Sequence, residues 1–258
     1  MKDILRNTAL KLSYDGTNYH GWQSQKEDVN VCDTLRKAVY DLTGERVKIL
    51  GCGRTDAGVH AEYYVANFRS QAKIPAKSIP VALNAHLPDD ISCLAALDVP
   101  EDFHAINSCI KKEYTYRIYC DPLRSPFHRD RAWHYPHGLD MEKVRQGAKR
   151  LVGRQDFAAM KTNVRSLLDV PRSTVRTVHY VDASEKDGII EIKVCADGFL
   201  YNMVRTIVGT LVYVSEGKIK SEDIPLILEN GDRTRAGPTA PACGLYMTRV
   251  WYGGGVEF

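Results

Sequence analysis

The residues that invite a chemical reading begin in Gly51-Cys52-Gly53-Arg54-Thr55-Asp56-Ala57-Gly58. A strand delivers the chain into a loop dense in glycine that displays a guanidinium and a carboxylate. Glycine permits unusual backbone angles and close approach to a ligand, and loops on a rigid scaffold often carry function. The plainer reading is an aspartate that hydrogen-bonds its own turn. Asp56 and His60 are four apart, which on a helix would put them on one face, but Gly58 between them argues against a helix. Arg205 is the only charge between Asp197 and Glu216, in a segment with Met203, Val204, Ile207, Val208, Leu211, Val212 and Val214. A buried, unpaired arginine costs several kcal/mol, so Arg205 either finds an anion or, sitting early in its helix, reaches solvent. Tyr114 and Tyr116 share one face of a strand, which suits base stacking and suits a core equally well. His134 and His137 flank Tyr135-Pro136. No cysteine or carboxylate completes a metal-ligand spacing there, so no metal site is expected.

These residues need elements to hold them. Ala9–Tyr14 alternates as a strand, and Asp15-Gly16-Thr17-Asn18 is a turn cluster. Val31, Leu35, Val39 and Leu42 recur at helical spacing before Gly44. Strands are expected at 47–50, 63–68, 91–99 and 114–119, with a short helix at 79–86 ended by Pro88. Met141, Val144, Ala148, Leu151 and Val152 mark a helix ending near Gly153. A hairpin is expected from 173–183 and 189–196 around Lys186-Asp187-Gly188. An apolar helix follows at 200–216, then a helix capped by Ser221-Glu222-Asp223 that runs to about Asn230, and a closing strand at 245–252. Many hairpins among helices predict an α+β fold with a mostly antiparallel sheet. The junction at Phe103–Lys112 has little Gly, Pro or Ser, unlike a flexible linker.

The 258 residues are 44% hydrophobic, enough for a sizeable core. No run approaches the ~20 apolar residues of a membrane helix, and Met1–Asn7 has no apolar signal core, so a cytoplasmic protein is expected. Seven cysteines without a C-x-x-C pair read as small hydrophobes in a reducing compartment. The net charge is only +3, but Lys111–Arg176 holds 15 Lys and Arg against 7 Asp and Glu, while the remainder is acidic. A basic middle suggests a polyanion partner.

Several segments together resemble the TruA family of tRNA pseudouridine synthases, from Tyr14 to Tyr252. They are Tyr14-Asp15-Gly16-Thr17 with Gly21-Trp22-Gln23, and Gly53-Arg54-Thr55-Asp56-Ala57-Gly58-Val59-His60-Ala61. Ala82-Leu83-Asn84 with Leu87-Pro88, Phe103-His104-Ala105 and Lys112-Glu113-Tyr114-Thr115-Tyr116 follow in family order. Asn202-Met203-Val204-Arg205 with Ile207-Val208-Gly209, and Ala236-Gly237-Pro238-Thr239-Ala240-Pro241 with Gly244-Leu245, complete the set.

The resemblance implies the pseudouridine synthase fold: two ferredoxin- or RRM-like α/β halves joined through a largely antiparallel central sheet. Residues 1–105 would carry the Asp loop, and 106–258 the Tyr strand and Arg helix. It places the catalytic aspartate at Asp56, the stacking tyrosine at Tyr114 and the ion-pairing arginine at Arg205, whose anion becomes Asp56. Arg54, Thr55, His60 and Tyr114 would contact substrate. The implied reaction isomerises uridine at positions 38 to 40 of the tRNA anticodon stem-loop, in a homodimer, without cofactor or metal. Three positions depart from the family's usual residues: Cys32 stands where Gln is usual, Ile106 where Arg is, and Gln155 where His often is. They bear on RNA contacts rather than on the reaction. The intact Asp56 favours an enzyme over a non-catalytic RNA-binding protein on the same fold. A metal-dependent hydrolase using Asp56 and His60 is the other alternative.

Overall fold

The computed structural model describes residues 5–24, 28–162 and 173–258. In chain order the elements are β1 (Arg6–Tyr14), α1 (Val31–Thr43), β2 (Leu50–Gly51), β3 (His60–Ser70), α2 (Ile79–Asn84), β4 (Ile91–Asp98) and β5 (Cys109–Cys120). Then come β6 (Trp133–Tyr135), α3 (Met141–Arg150), β7 (Gly153–Asp156), β8 (Val175–Lys186), β9 (Ile189–Ala196), α4 (Met203–Ser215), α5 (Ile224–Asn230) and β10 (Leu245–Tyr252). The fold is mixed α and β, and most strand pairs are antiparallel, as expected. No helix among the described residues is long and apolar enough to cross a membrane. The basic stretch Lys111–Arg176 includes residues 163–172, which lie outside the described residues, as do residues 1–4 of Met1–Asn7.

The chain forms two compact units, Met1–Lys111 with Tyr246–Phe258, and Lys112–Leu245. They differ from the expected halves 1–105 and 106–258 in two respects: the boundary falls after Lys111, and the last strand joins the first unit, for a clear cause. The last strand, β10, pairs in parallel with β3, through Tyr246↔His60 and Met247↔Ala61, so the chain's end belongs with its beginning.

In the first unit β4, β1 and β3 are antiparallel neighbours, with β2 and β10 each pairing part of β3. Leu10 and Leu12 of β1 face the same side as Ala66 and Tyr64 of β3, and all four are fully buried. Helix α1 starts at Asn30, whose side chain accepts the Asp33 N–H at 2.8 Å, and stops at Gly44 with φ 74°. Both are the residue types such ends require.

In the second unit β5, β9, β8 and β7 run antiparallel, and β6 pairs in parallel with β5. Helix α4 is buried along most of its length, Arg205 and Tyr213 excepted. Strands β6 and β7 are too short to leave a period in the sequence. They fall where no strand was expected. Of the seven cysteines, Cys32, Cys52, Cys93 and Cys195 are buried and the others half-buried. Burial pushes the Cys93 thiol up to about 12, which suits a packing residue rather than a nucleophile.

Candidate active site

Asp56 sits half-buried in the loop between β2 and β3, with Arg54 exposed and Thr55 buried beside it. The loop is pinned from the N-terminal segment Tyr14–Trp22 and from β3. The Trp22 N–H donates to the Thr55 carbonyl at 3.1 Å, and the Gly58 N–H donates to the Tyr19 carbonyl at 3.2 Å. The Tyr14 hydroxyl meets Thr55 Oγ1 at 2.9 Å, and the Tyr64 hydroxyl donates to the Gly53 carbonyl. The Val59 N–H closes a turn onto the Asp56 carbonyl at 3.1 Å. Burial raises the Tyr14 phenol far above its usual range, so its hydroxyl stays protonated within this frame.

Two glycines make the fit possible. A Cβ on Gly16 would collide with the Val59 carbonyl, and one on Gly21 would collide with the Thr55 carbonyl. Gly21 also has φ 82°, a left-handed conformation that glycine adopts without penalty. Tyr14-Asp15-Gly16 and Gly21-Trp22 therefore serve as the clamp that fixes the Asp56 backbone.

His60, the first residue of β3, is 1% exposed and stacks on Tyr246 with centroids 4.6 Å apart. Its Nδ1 lies 3.0 Å from both the Gly16 nitrogen and Asp15 Oδ1. A neutral ring accepts from Gly16, whereas a protonated one would serve Asp15, and one Nδ1 cannot do both. The Asp15 oxygen already accepts from the Thr17 N–H and hydroxyl, and charging a buried ring is costly. We assign the neutral ring bonded to Gly16. Thr55 and His60, expected at the substrate, are both built into the loop's own framework.

In the second unit Tyr114 and Tyr116 lie on one face of β5, as their spacing requires. Tyr116 is core: fully buried, its hydroxyl donating to the Pro241 carbonyl at 2.7 Å. Tyr114 is also buried, with Phe199 edge-on to it at 4.9 Å and 85°.

Arg205 occupies the first turn of α4, half-buried. Its Nε donates to the Ala240 carbonyl at 2.6 Å, and its Nη1 to Asn202 Oδ1 at 2.8 Å. The Ala240 N–H returns a bond to the Arg205 carbonyl at 3.1 Å. The 236–241 segment reaches the helix because Gly209 and Gly237 have no Cβ. One on Gly209 would strike the Pro238 carbonyl, and one on Gly237 would strike the Gly209 backbone. Asn202 holds φ 60° and ψ 9°, and its Nδ2 donates to Thr162 Oγ1 at 3.1 Å. Asn202 and Ala240, which orient the guanidinium, carry no chemical signal in the sequence beyond their place in the motifs. The sole hint at Asn202 is its type, since asparagine tolerates left-handed backbone.

Among the described residues no group of three or more His, Cys, Asp or Glu side chains is arranged to hold a metal ion. His134 Nε2 lies 2.8 Å from the Asp121 carbonyl instead.

A family model described as tRNA pseudouridine synthase matches residues 12–106 and 148–253. The chain is 46% identical over 248 residues to tRNA pseudouridine synthase A of Thermoanaerobacter sp. (strain X514), covering 96% of this chain and 100% of that one. It is 45% identical over 248 residues to tRNA pseudouridine synthase A of Acetivibrio thermocellus, with the same coverage. It is 43% identical over 251 residues to tRNA pseudouridine synthase A 2 of Clostridium tetani, again over 96% and 100%.

Proposed function

Because the chain belongs to the tRNA pseudouridine synthase family and isomerises uridine in tRNA, we propose that Asp56 is its catalytic carboxylate and that its targets are positions 38 to 40 of the anticodon stem-loop. The reaction breaks the bond from uracil N1 to ribose C1′, turns the base, and joins C5 to C1′; the C5 proton is lost and N1 takes one up. Nothing is oxidised and no group leaves, so no electron carrier or triphosphate is required. What the reaction requires is an ionised carboxylate at the ribose. It serves either by adding to C1′ or by removing a ribose proton to give a glycal.

Arg205 keeps Asp56 ionised in this reading. A neighbouring guanidinium typically lowers an aspartate pKa by ~1–3 units. Tyr114 stacks on the uracil and relays the C5 proton. Arg54 fills the gap left when the uridine is extruded from its stem, a step costing roughly a few kcal/mol. Thr55 and His60 act on substrate through the loop they hold. The protein works as a cytoplasmic homodimer without metal, each tRNA touching both subunits.

One observation carries this assignment of the carboxylate: the loop bearing Asp56 is pinned at Thr55 by Tyr14 and Trp22 of the N-terminal motifs, at Gly58 by Tyr19 and at Gly53 by Tyr64 of β3. Such pinning holds a reactive group in place before substrate arrives. The test is tritium release from tRNA carrying 5-tritiated uridine, in EDTA and without cofactor. Wild type is expected to release tritium. Asp56→Asn should release none while still binding tRNA. Release by Asp56→Asn at the wild-type rate would remove Asp56 from the chemistry, and loss of wild-type release in EDTA would favour the metal reading. Primer extension after carbodiimide treatment reads whether the product lies at 38 to 40.

A further inference from the structure

The Arg205 guanidinium is aimed by a backbone carbonyl, that of Ala240, so its direction is only as fixed as the 236–241 segment. That segment has several anchors, all within the second unit. The Gly237 N–H donates to Thr210 Oγ1 at 2.9 Å, and Thr210 Oγ1 donates in turn to the Thr206 carbonyl at 2.8 Å. The Ala240 N–H donates to the Arg205 carbonyl at 3.1 Å, and the Tyr116 hydroxyl donates to the Pro241 carbonyl at 2.7 Å. A further anchor is a second guanidinium. Arg233 Nη1 donates to the Gly237 carbonyl at 2.8 Å, and its Nη2 to Thr239 Oγ1 at 3.0 Å.

Arg233 opens a short 3₁₀ turn, Arg233–Arg235, just after α5. The turn closes without its side chain. Asp232 Oδ1 accepts the Thr234 N–H at 2.9 Å, and the Ala236 N–H donates to the Arg233 carbonyl at 3.3 Å. The guanidinium is half-buried, and burial pulls its pKa below the usual arginine value, with no carboxylate beside it among the described residues. It remains charged all the same. Taking a charge from water without an anion costs free energy, and closing the turn does not require it. What the planar fork adds is two donors at a fixed spacing. They lie across the residues just before Ala240. Gly237 is thereby held by Thr210 at its N–H and by Arg233 at its carbonyl, and Thr239 is held one residue before the carbonyl that aims Arg205.

We infer that Arg233 is a positioning residue for the isomerisation: by bridging Gly237 and Thr239 it fixes the Ala240 carbonyl, and through it the direction of the Arg205 guanidinium. Arg233 touches no reacting group itself. The inference rests on Arg205 being the partner of Asp56. The competing use of Arg233 is as a contact to a tRNA phosphate, since a half-exposed guanidinium suits that too.

Thr239 separates the two uses, because it carries no charge. Thr239→Val removes the acceptor of Nη2 and leaves Arg233 its charge, whereas Thr239→Ser keeps the hydroxyl. Arg233→Lys keeps the charge and loses the fork. Tritium release from tRNA carrying 5-tritiated uridine gives kcat and KM, with kcat normalised to the fraction of protein that binds tRNA, so that a variant that merely folds less well shows no loss. Misplacing a catalytic group by about 1 Å can cost about 10²-fold in rate. Thr239→Val and Arg233→Lys should therefore each lower kcat by roughly 10-fold or more, with KM and the salt dependence of tRNA binding as in wild type. Thr239→Ser should recover most of the loss. If Arg233→Lys does not fold, Thr239→Val, a near-isosteric change at a half-exposed position, decides alone.

A wild-type kcat in Thr239→Val or in Arg233→Lys overturns the inference. Equal losses in Thr239→Ser and Thr239→Val would trace the effect to packing and overturn it as well. An Arg233→Gln variant with raised KM, unchanged kcat and a slope of log K against log salt shallower by about 0.9 would make Arg233 a phosphate contact instead. Arg205→Lys is the control for the underlying reading. Wild-type turnover by Arg205→Lys would remove Arg205 from the chemistry and the positioning role with it. A slow Arg205→Lys beside a wild-type Thr239→Val sinks the positioning role alone.

Discussion

Asn202 offers a perturbation in which stability and turnover should move in opposite directions. Its backbone is left-handed, at φ 60°. A residue with an ordinary Cβ pays roughly 1–2 kcal/mol there, and asparagine less. Its Oδ1 accepts from Arg205 Nη1 at 2.8 Å and its Nδ2 donates to Thr162 Oγ1 at 3.1 Å. A hydrogen bond to a charged group contributes about 1.5–3 kcal/mol and a neutral one about 1. Arg205 is half-buried, so the lower end applies. Asn202→Gly keeps the backbone and loses both bonds, for roughly 2 kcal/mol. Asn202→Ala adds the backbone cost, for roughly 3. Asn202→Asp keeps the backbone and gives Arg205 a carboxylate, so urea unfolding should show stability at or above wild type. On the proposed pairing of Arg205 with Asp56, turnover should nevertheless fall, because the new carboxylate competes for that guanidinium. Losing a nearby cation raises a carboxylate pKa. The ionised fraction of Asp56 is then lost at higher pH, and the acid limb of kcat for Asn202→Asp moves upward. Equal stabilities of Asn202→Ala and Asn202→Gly would refute the backbone argument. Wild-type turnover by Asn202→Asp with an unmoved acid limb would refute the role of the clamp.

Two further outcomes follow from the loop and the strand. Gly16→Ala pushes a methyl into the Val59 carbonyl, so it should cost about 1–3 kcal/mol in urea unfolding and lower kcat more than tRNA affinity; a wild-type kcat would show that the clamp does not position Asp56. Tyr114→Phe keeps the stacking ring and removes the hydroxyl, so tritium release should slow by roughly 10²-fold or more if the hydroxyl relays the C5 proton, and release at the wild-type rate would leave Tyr114 a stacking role only.

Much of this was legible because it is local. Apolar period and end residues located α1, and Asn30 and Gly44 cap it as sequence logic demands. Where strands are long, alternation found them. Where they are three or four residues, as in β6 and β7, there is no period to read. The allegiance of β10 could not be read either, because a parallel pairing with β3 is fixed by packing across the whole chain and leaves no mark within β10 itself.

The site divides along the same line. Asp56 and Arg54 drew attention because a glycine loop that displays charge is unusual in itself. Arg205 did so because a lone charge in an apolar helix needs an explanation. The groups that aim them are different in kind. Tyr14 steadies Thr55 with one hydroxyl, Ala240 orients Arg205 with a backbone carbonyl, and Asn202 does so with an amide on a left-handed backbone. A carbonyl belongs to every residue type, so Ala240 could have been any residue the backbone tolerates, and no composition betrays it. Sequence reading therefore reaches the candidate reacting groups before the groups that position them. A functional test built only on the former would miss the clamp, which is why Asn202→Asp is more informative than another substitution at Arg205: it leaves the guanidinium in place and changes only what aims it.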